Sequence, residues 1–308
     1  MDLVYVIIVT YNGMKWIDKC LKSISDSTIP LQVLVIDNLS TDDTVTFVKE
    51  NYPLVDLIET GQNLGFGKAN NIGFKKAIEN KADYVFLLNQ DAYVRPDTIE
   101  GLINIHRKNT DYGILSPMHL NGDGSSLDHN FSAGCNVIDC PGLFPDLYLK
   151  QVKEVYSSAF VNAALWLIPM SCVLKTGIFD PFFPHYGEDV DYVNRLKYFG
   201  YYIGICPAYA GYHDRQFRPD ASEKNDAMRK MTYLYILKNI NENFGKAMLS
   251  VFFLLFRHIL TTLLRLNFKS LIEDFKMLFY LLFSIFEIYR DRQKAKQTGA
   301  FINSGAGD

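Results

Sequence analysis

The sequence predicts an α/β protein, a three-layer α/β/α sandwich around a mostly parallel central sheet, with a carboxyl-terminal helical appendage. Over the first two-thirds of the chain, short apolar runs rich in branched residues alternate with segments of helical periodicity. Such alternation is typical of parallel strands joined by right-handed crossovers. From Ala247 onwards, long apolar stretches at helical spacing replace it and predict the appendage.

Composition excludes several classes of protein. With 308 residues, 48% of them hydrophobic, the chain can bury a large core. The net charge of -3 provides no basic field for nucleic acid, so we expect no nucleic-acid partner. The five cysteines form no CxxC pair, which argues against a disulfide framework and a zinc site. A strand-like run begins at Val4 without a signal-peptide pattern, and we expect a cytoplasmic location.

Polar residues follow the predicted strands at 3–9, 31–36 and 84–88, and a glycine-rich loop at 61–67 follows the strand at 54–59. Because the carboxyl ends of parallel strands meet at one edge of a sheet, where ligands bind, these residues should lie together. The polar residues are Thr10, Tyr11, Asn12, Asp37, Asn38, Asn89, Gln90 and Asp91.

This residue set predicts a nucleotide site. A tyrosine ring can stack on a base, a fixed Asp or Asn can pair with a pyrimidine edge, and glycine lets the backbone approach a phosphate. Asp91 could hold a divalent cation and, through it, a diphosphate. The alternative for Asp37 is a helix cap or turn. A dinucleotide-binding loop is disfavoured, because its glycines would follow the first strand, whereas here they follow the third.

The second half of the chain predicts a surface loop within 113–153, strands at 161–168 and 201–206, and an acidic helix start. Three carboxylates, Glu188, Asp189 and Asp191, fall within four residues there. They suit a helix amino terminus, where the dipole favours acids, and a rigid helix start also suits a general base. His213 follows the last strand, as a structural residue or a metal ligand.

These residues resemble family 2 glycosyltransferases, and within that family the rhamnosyltransferase-like branch. The resemblance implies a GT-A fold, a nucleotide-diphosphate sugar donor, a divalent cation (Mg²⁺ or Mn²⁺) and single-displacement transfer with inversion. The motifs that carry it, in order, are Val9-Thr10-Tyr11-Asn12-Gly13; Val35-Ile36-Asp37-Asn38 with Ser40 and Asp42; Asn63-Leu64-Gly65-Phe66-Gly67 with Asn70 and Gly73; Leu87-Leu88-Asn89-Gln90-Asp91; and Phe183 through Gly187-Glu188-Asp189-Val190-Asp191.

The resemblance also implies roles for individual residues. Asp189 matches the catalytic base, with Glu188 and Asp191 in the same catalytic segment, while Asp91 and His213 match metal ligands. Arg215 or Arg218 would contact the diphosphate. The sequence departs from the pattern at Asn89, which replaces the commoner Asp, and at Gln90, which stands where this branch usually has Pro. The residues that match the nucleotide-sugar site are Thr10, Tyr11, Asn12, Asp37, Asn38, Asn63, Gly65, Asn70, Asn89 and Asp91.

The implied function is an inverting transferase that moves rhamnose or another hexose from a UDP- or dTDP-linked donor to a glycan or lipid-linked acceptor in cell-surface polysaccharide synthesis. The altered metal motif leaves a second hypothesis open. In that alternative, the chain is a catalytically silent, nucleotide-binding scaffold subunit of a polysaccharide assembly complex.

Three regions are expected: a catalytic domain at 1–220, a helical region at 221–293 and a disordered tail at 294–308. Arg257, Arg265, Lys269 and Lys276 interrupt the apolar runs of the helical region, so neither run reaches the ~20 apolar residues that span a bilayer. The helices therefore pack on the catalytic domain, contact a second subunit in a homo-oligomer, or hold the protein peripherally on the inner face of the cytoplasmic membrane.

Overall fold

The computed structural model describes residues 1–183, 186–215 and 222–304, and for 222–228 the backbone alone. One mixed sheet organises this part of the chain. Its strands are β1 (Val4–Thr10), β2 (Gln32–Asp37), β3 (Asp56–Glu59), β4 (Tyr84–Asn89), β5 (Ala92–Val94), β6 (Tyr112–Asn121), β7 (Tyr156–Ser157), β8 (Leu165–Pro169) and β9 (Tyr202–His213).

Helices cover the sheet and continue beyond it. The helices of the sheet region are α1 (Ile17–Ser25), α2 (Thr44–Asn51), α3 (Gly65–Glu79), α4 (Thr98–Lys108), α5 (His129–Gly134), α6 (Leu143–Leu149), α7 (Met170–Thr176) and α8 (Glu188–Tyr198). The carboxyl-terminal helices are α9 (Ser222–Lys238), α10 (Phe244–Leu264) and α11 (Phe268–Ala295).

The sheet confirms the predicted fold class and refines its topology. Its strand order is β3-β2-β1-β4-β8-β6-β9-β5, and β7 pairs with β9. The first four strands are mutually parallel, but β8 enters antiparallel between β4 and β6. The sheet is therefore parallel in its amino-terminal half and mixed beyond it. Two boundaries differ from expectation, because β8 begins only at Leu165 and β9 continues to His213.

Strand β4 lies between two apolar layers, as its uninterrupted apolar run predicts. The side chains of Val85 and Leu87 join the layer that contains Phe74 of α3. Those of Phe86 and Leu88 join the opposite layer, which contains residues of α1 and α4. Because both faces are covered, the end of β4 is held in place by the core.

The carboxyl-terminal helices form a third apolar cluster that reaches the sheet region through Phe183. A buried ion pair joins the same regions: the Lys238 ammonium of α9 contacts the Asp180 carboxylate, and Asp291 of α11 lies 3.7 Å from it. The Phe182 ring lies 4.2 Å from the ammonium. The helical region therefore packs on the catalytic domain. The expected boundary at 220 lies outside the described residues.

The tail from 294 onwards was expected to be disordered, and the structure describes it up to residue 304. Helix α11 continues to Ala295, and Ala300 is buried. The Ala300 carbonyl accepts a hydrogen bond from the amide of Ile178 at 3.1 Å, and the Gly299 amide donates to the Lys175 carbonyl at 3.0 Å. Gly299 and Ala300 are small, which permits close backbone contact with α7 and the segment after it.

Arg195 is fully buried and joins its own helix, α8, to this segment. Its Nε donates to Asp191 Oδ2 at 2.7 Å. Its two terminal nitrogens donate to the carbonyls of Thr176 at 2.8 Å and Ile178 at 2.9 Å. The Phe301 ring of the tail lies 5.3 Å from the guanidinium. One side chain thus connects α7, α8 and the tail.

Replacing this guanidinium should destabilise the whole domain. Arg195→Met leaves the Asp191 carboxylate and two carbonyls buried without their partner, so we expect a loss of about 3–5 kcal/mol in the free energy of unfolding. Urea titration followed by circular dichroism measures it. The control is Arg107→Met, which removes a surface pair with Asp2 and should cost about 1 kcal/mol or less. Equal losses in the two variants would contradict this role of Arg195.

Candidate active site

A cavity of about 520 Å³ opens at the carboxyl ends of β1, β2 and β4. This volume lies within the range of small-molecule sites, about 300–1,000 Å³. The sheet edge thus provides the predicted ligand site, and six of the predicted nucleotide residues line it. The lining residues are Val9, Tyr11, Asn38, Asn63, Leu64, Gly65, Phe66, Asn89, Gln90 and Asp91.

Gln90 connects the ends of β1 and β4. Its Oε1 accepts from the Thr10 hydroxyl at 2.7 Å and from the Tyr11 amide at 2.9 Å, and its Nε2 donates to the Tyr11 carbonyl at 3.2 Å. The ring of Tyr11 is half exposed at the cavity, where it can stack on a base. A proline at this position could not make these bonds, so the departure from the family pattern has a structural role here.

Asn38 shapes the opposite wall. Its Oδ1 accepts from the Leu64 amide at 2.7 Å, and its Nδ2 donates to Asn63 Oδ1 at 2.9 Å. The turn that these bonds hold ends at Gly65, which begins α3 with a φ of +76°. A side chain is strained in this left-handed conformation, so the position favours glycine.

Asp37 is buried beside this wall. Its Oδ2 accepts from the Ser40 amide at 2.9 Å, as the turn interpretation predicts. Its Oδ1 is also buried, yet it has no hydrogen-bond partner among the described residues. A buried carboxylate oxygen without a donor is costly, and a ligand N–H would supply one. Asp37 therefore both supports the turn and keeps an acceptor for a ligand.

Three predicted contact residues support the cavity without lining it. The Thr10 hydroxyl is bonded to Gln90, Asn12 Oδ1 accepts from the Thr41 amide at 2.8 Å, and Asn70 Nδ2 donates to the Phe66 carbonyl at 2.9 Å. These bonds support the walls of the cavity, and direct contact of Thr10, Asn12 and Asn70 with a nucleotide stays a prediction. Their polar side chains complete internal hydrogen bonds that a motif cannot distinguish from ligand bonds.

At the other end of the cavity, Asp91 meets His213. Strands β5 and β9 pair there, which places His213 Nε2 3.1 Å from Asp91 Oδ1 and 3.4 Å from Asn89 Nδ2. Burial alone would raise the pKa of Asp91, but the hydrogen bond from His213 and the charges of His213 and Arg215 lower it below its ordinary value. Asp91 is therefore an anion under ordinary conditions.

These residues fit a divalent cation. Two ligands at about 2.1 Å from one cation lie about 3 Å apart at a right angle, which matches the 3.1 Å between Asp91 Oδ1 and His213 Nε2. Asn89 Oδ1 is buried without a hydrogen-bond partner among the described residues, and it can supply a neutral oxygen. The described residues include no cluster of three His, Cys, Asp or Glu, so a diphosphate would have to complete the coordination.

Arg215 extends the polar chain behind His213. Its Nε lies 3.1 Å from His213 Nδ1 and 3.2 Å from Asp128 Oδ2. Asp128 is buried and also caps α5, accepting from the Phe131 amide at 2.9 Å. Sequence reasoning missed Asp128, which looks like an ordinary loop acid. Arg215 lies where a diphosphate contact was expected, whereas Arg218 falls outside the described residues.

The acidic helix start lies on the same side of the sheet. The Asn89 amide donates to the Ala164 carbonyl at 3.1 Å. The backbone amide of the adjacent Ala163 donates a hydrogen bond to the Asp189 carboxylate. Gly187, with a φ of +94°, turns the chain into α8 immediately before Glu188. The segment 163–164 thus places the end of β4 next to the start of α8.

Burial raises the pKa of Asp189, while the amides of Val190 and Ala163 and the guanidinium of Arg215 oppose that rise. Burial and the charge of Asp189 raise the pKa of Glu188 to about 7. A carboxyl whose pKa lies closer to neutrality is a better proton acceptor than an ordinary one. Asp191 is different, because its carboxylate is committed to Arg195. This buried ion pair gives Asp191 a structural role, and its catalytic role stays a prediction.

Residues 5–150 match the family model described as Glycosyl transferase family 2. The chain is 26% identical over 258 residues to the N-acetylglucosaminyl-diphospho-decaprenol L-rhamnosyltransferase of Mycobacterium tuberculosis, across 76% of this chain and 84% of that protein. This match and the named relatives identify the chain as a glycosyltransferase that is similar to family 2. It is also 25% identical to the dTDP-rhamnosyl transferase RfbF of Shigella flexneri, across 66% of each chain.

The fold of this glycosyltransferase is similar to that of S. aureus TarS. The crystal structure of TarS in complex with UDP superposes with a TM-score of 0.55 at 16% identity, covering 80% of this chain and 68% of the other. A second TarS structure gives a TM-score of 0.57 at 18% identity, covering 96% and 83%. These similarities confirm the GT-A fold.

The buried Glu188 should make the glycosyltransferase less stable as pH rises. Its pKa is raised from 4.5 to about 7 in the folded state, so the folded state binds its proton more tightly. The resulting stability is present below pH 4.5 and is lost as pH rises through about 7. Glu188→Gln, which stays neutral, should therefore unfold like the wild type at pH 4.5 but be more stable at pH 8, by roughly 3 kcal/mol at most.

Urea titrations of both proteins at the two pH values measure this difference. Glu50→Gln, on the exposed surface of α2, is the matched control and should show the wild-type dependence on pH. A pH-independent difference between Glu188→Gln and the wild type would show that Glu188 is not buried as a neutral acid.

Proposed function

We propose that this glycosyltransferase transfers rhamnose or another hexose, with inversion, from a UDP- or dTDP-linked donor to a hydroxyl of a glycan or lipid-linked acceptor. The observation that carries the proposal is the placement of Asp189 and Asp91 within electrostatic reach of the same guanidinium, that of Arg215. One carboxylate can take a proton while the other supports a leaving group. Such a pair close to one guanidinium is what a single displacement requires.

The names of similar proteins support the donor and acceptor classes. One relative is named as a dTDP-rhamnosyl transferase, and another is named for L-rhamnose transfer and for a sugar on diphospho-decaprenol. The TarS structure contains UDP. In the cavity, Tyr11 would stack on the base, and Asp37 Oδ1 would accept from its N–H. We also infer a cytoplasmic location, in keeping with five free cysteines.

In the proposed reaction, the acceptor oxygen attacks the anomeric carbon as the bond from that carbon to the diphosphate oxygen breaks. Asp189 takes the hydroxyl proton, and the bonding electrons leave with the diphosphate. Asp91 and His213, with Asn89, would hold a Mg²⁺ or Mn²⁺ ion, which supplies positive charge to the leaving group when bound. Arg215 adds a fixed positive charge on the same side.

Removing the base should abolish transfer and spare binding. Asp189→Asn keeps the shape of the side chain but cannot take a proton, so turnover should fall at least ~100-fold. A thermal-shift screen of UDP- and dTDP-sugars with Mn²⁺ first identifies a donor, since ligands that bind the native state stabilise it. Nucleotide release from that donor then measures turnover, and calorimetry measures affinity for the nucleoside diphosphate.

The matched control is Asp111→Asn, an exposed acid before β6 at the opposite edge of the sheet. It should change neither quantity. Wild-type turnover in Asp189→Asn, or a loss of nucleotide affinity equal to its loss of turnover, would overturn the assignment of the base. Binding of donors without release of nucleotide by the wild type would favour the scaffold hypothesis.

A further inference from the structure

Helices α10 and α11 form a hairpin whose inner face is fully packed. Val251 and Leu255 of α10 and Leu281 and Ile288 of α11 are buried in the cluster that also contains residues of α9. Asp274 is buried in this interface, 3.0 Å from the Arg229 guanidinium and 2.9 Å from His258 Nδ1. The hairpin is therefore fixed in one orientation, and its outer face is a defined surface.

The outer face of the hairpin is apolar and exposed along its length. On α11 the exposed apolar residues recur at alternating intervals of four and three, so they lie on one stripe of the helix. The stripe of α11 contains Phe268, Ile272, Phe275, Phe279, Leu282 and Phe286, whose exposures range from 46% to 84%. The stripe of α10 has the same spacing and contains Leu249, Phe253, Phe256, Leu260 and Leu263.

The apolar surface continues over the tip of the hairpin. Leu264 is 77% exposed and Leu266 is 72% exposed, and both lie where the chain turns from α10 to α11. Two helices that pack side by side leave the turn between them in water, where polar residues are the rule. An apolar tip together with an apolar face favours an apolar environment, rather than water, around the end of the hairpin.

Positive charge accompanies this surface. Arg257, Arg265 and Lys269 are exposed on the hairpin, and none of them has an acidic partner among the described residues. The nearby acids are already engaged: Asp274 is buried as described above, and Glu273 lies 2.7 Å from the Lys276 ammonium. The part of the hairpin near its tip therefore presents apolar side chains flanked by cations.

We propose that this hairpin docks on an anionic phospholipid surface, with its Phe- and Leu-rich face in the interfacial layer. Aromatic and aliphatic side chains flanked by Lys and Arg are the pattern of interfacial helices. A second copy of the chain fits less well, because a twofold contact apposes the same patch on both copies and would bring like cations together. It would also leave the apolar tip uncovered.

Interfacial docking also suits α10, the one helix among the described residues that could cross a membrane. Helix α10 is long and apolar enough to do so, although the sequence predicted otherwise. Of its most apolar 18 residues, 22% are buried. It turns back into α11, and Arg257 lies near its middle. Resting on the proposed function, the docked hairpin would hold the cavity near lipid-linked acceptors.

Flotation of the full-length protein with vesicles tests the proposal. The protein should float with vesicles of phosphatidylglycerol and phosphatidylcholine and remain at the bottom with phosphatidylcholine alone. The double variant Arg265→Gln with Lys269→Gln should weaken binding to the anionic vesicles roughly 30-fold. The triple variant Phe253→Ser, Phe279→Ser and Phe286→Ser should lose flotation. Leu54→Ser, also exposed but outside the hairpin, should float like the wild type.

Circular dichroism and donor binding confirm that each variant is folded, and nucleotide release from the donor reports the proposed function separately from flotation. Failure of the wild type to float would overturn the membrane proposal, whatever its activity. So would a stable dimer in solution that the triple phenylalanine variant dissociates, because the apolar face would then be covered by a second copy.

Discussion

Helix α8 depends on a charge that the protein buries completely, the guanidinium of Arg195. It binds Asp191 one turn earlier in α8 and the carbonyls of Thr176 and Ile178 in the preceding segment. The Ile178 amide in turn donates to Ala300 of the tail. The position of Asp189, at the start of α8, is therefore set by a network that extends to the last described residues. A buried ion pair of this kind contributes little net stability, but it restricts the alternatives open to the helix.

The opposite wall of the site depends on hydrogen bonds between strand ends. Gln90 joins β4 to β1, Asn38 joins β2 to the turn before α3, and the Asn89 amide joins β4 to Ala164. These bonds leave one acceptor oxygen free at Asp37 and another at Asn89. The two walls thus combine rigid backbone with a few unpaired polar atoms, an arrangement that favours tight recognition of a polar ligand because the site is ordered before binding.

Much of this could be predicted from the sequence, and the reasons are local. Buried parallel strands read as apolar runs, so β1, β2 and β4 were recognisable, and polar residues after them indicated the ligand edge. The direction of β8 was not predictable, because orientation depends on the connection through 122–164, where local signals are weak. Motifs also could not separate Asp189 from Asp191. The difference lies in Arg195, whose burial depends on tertiary packing. The ordered structure of the tail likewise depends on tertiary packing.

The most direct measurement is a crystal structure of the protein with Mn²⁺ and a nucleoside-diphosphate sugar that it binds. The proposed mechanism predicts the base stacked on Tyr11, the cation between Asp91 and His213, and the anomeric carbon facing Asp189. A diphosphate bound elsewhere, for example in the cavity of about 300 Å³ beside Lys75 of α3, would contradict it. So would a cation that contacts neither Asp91 nor His213.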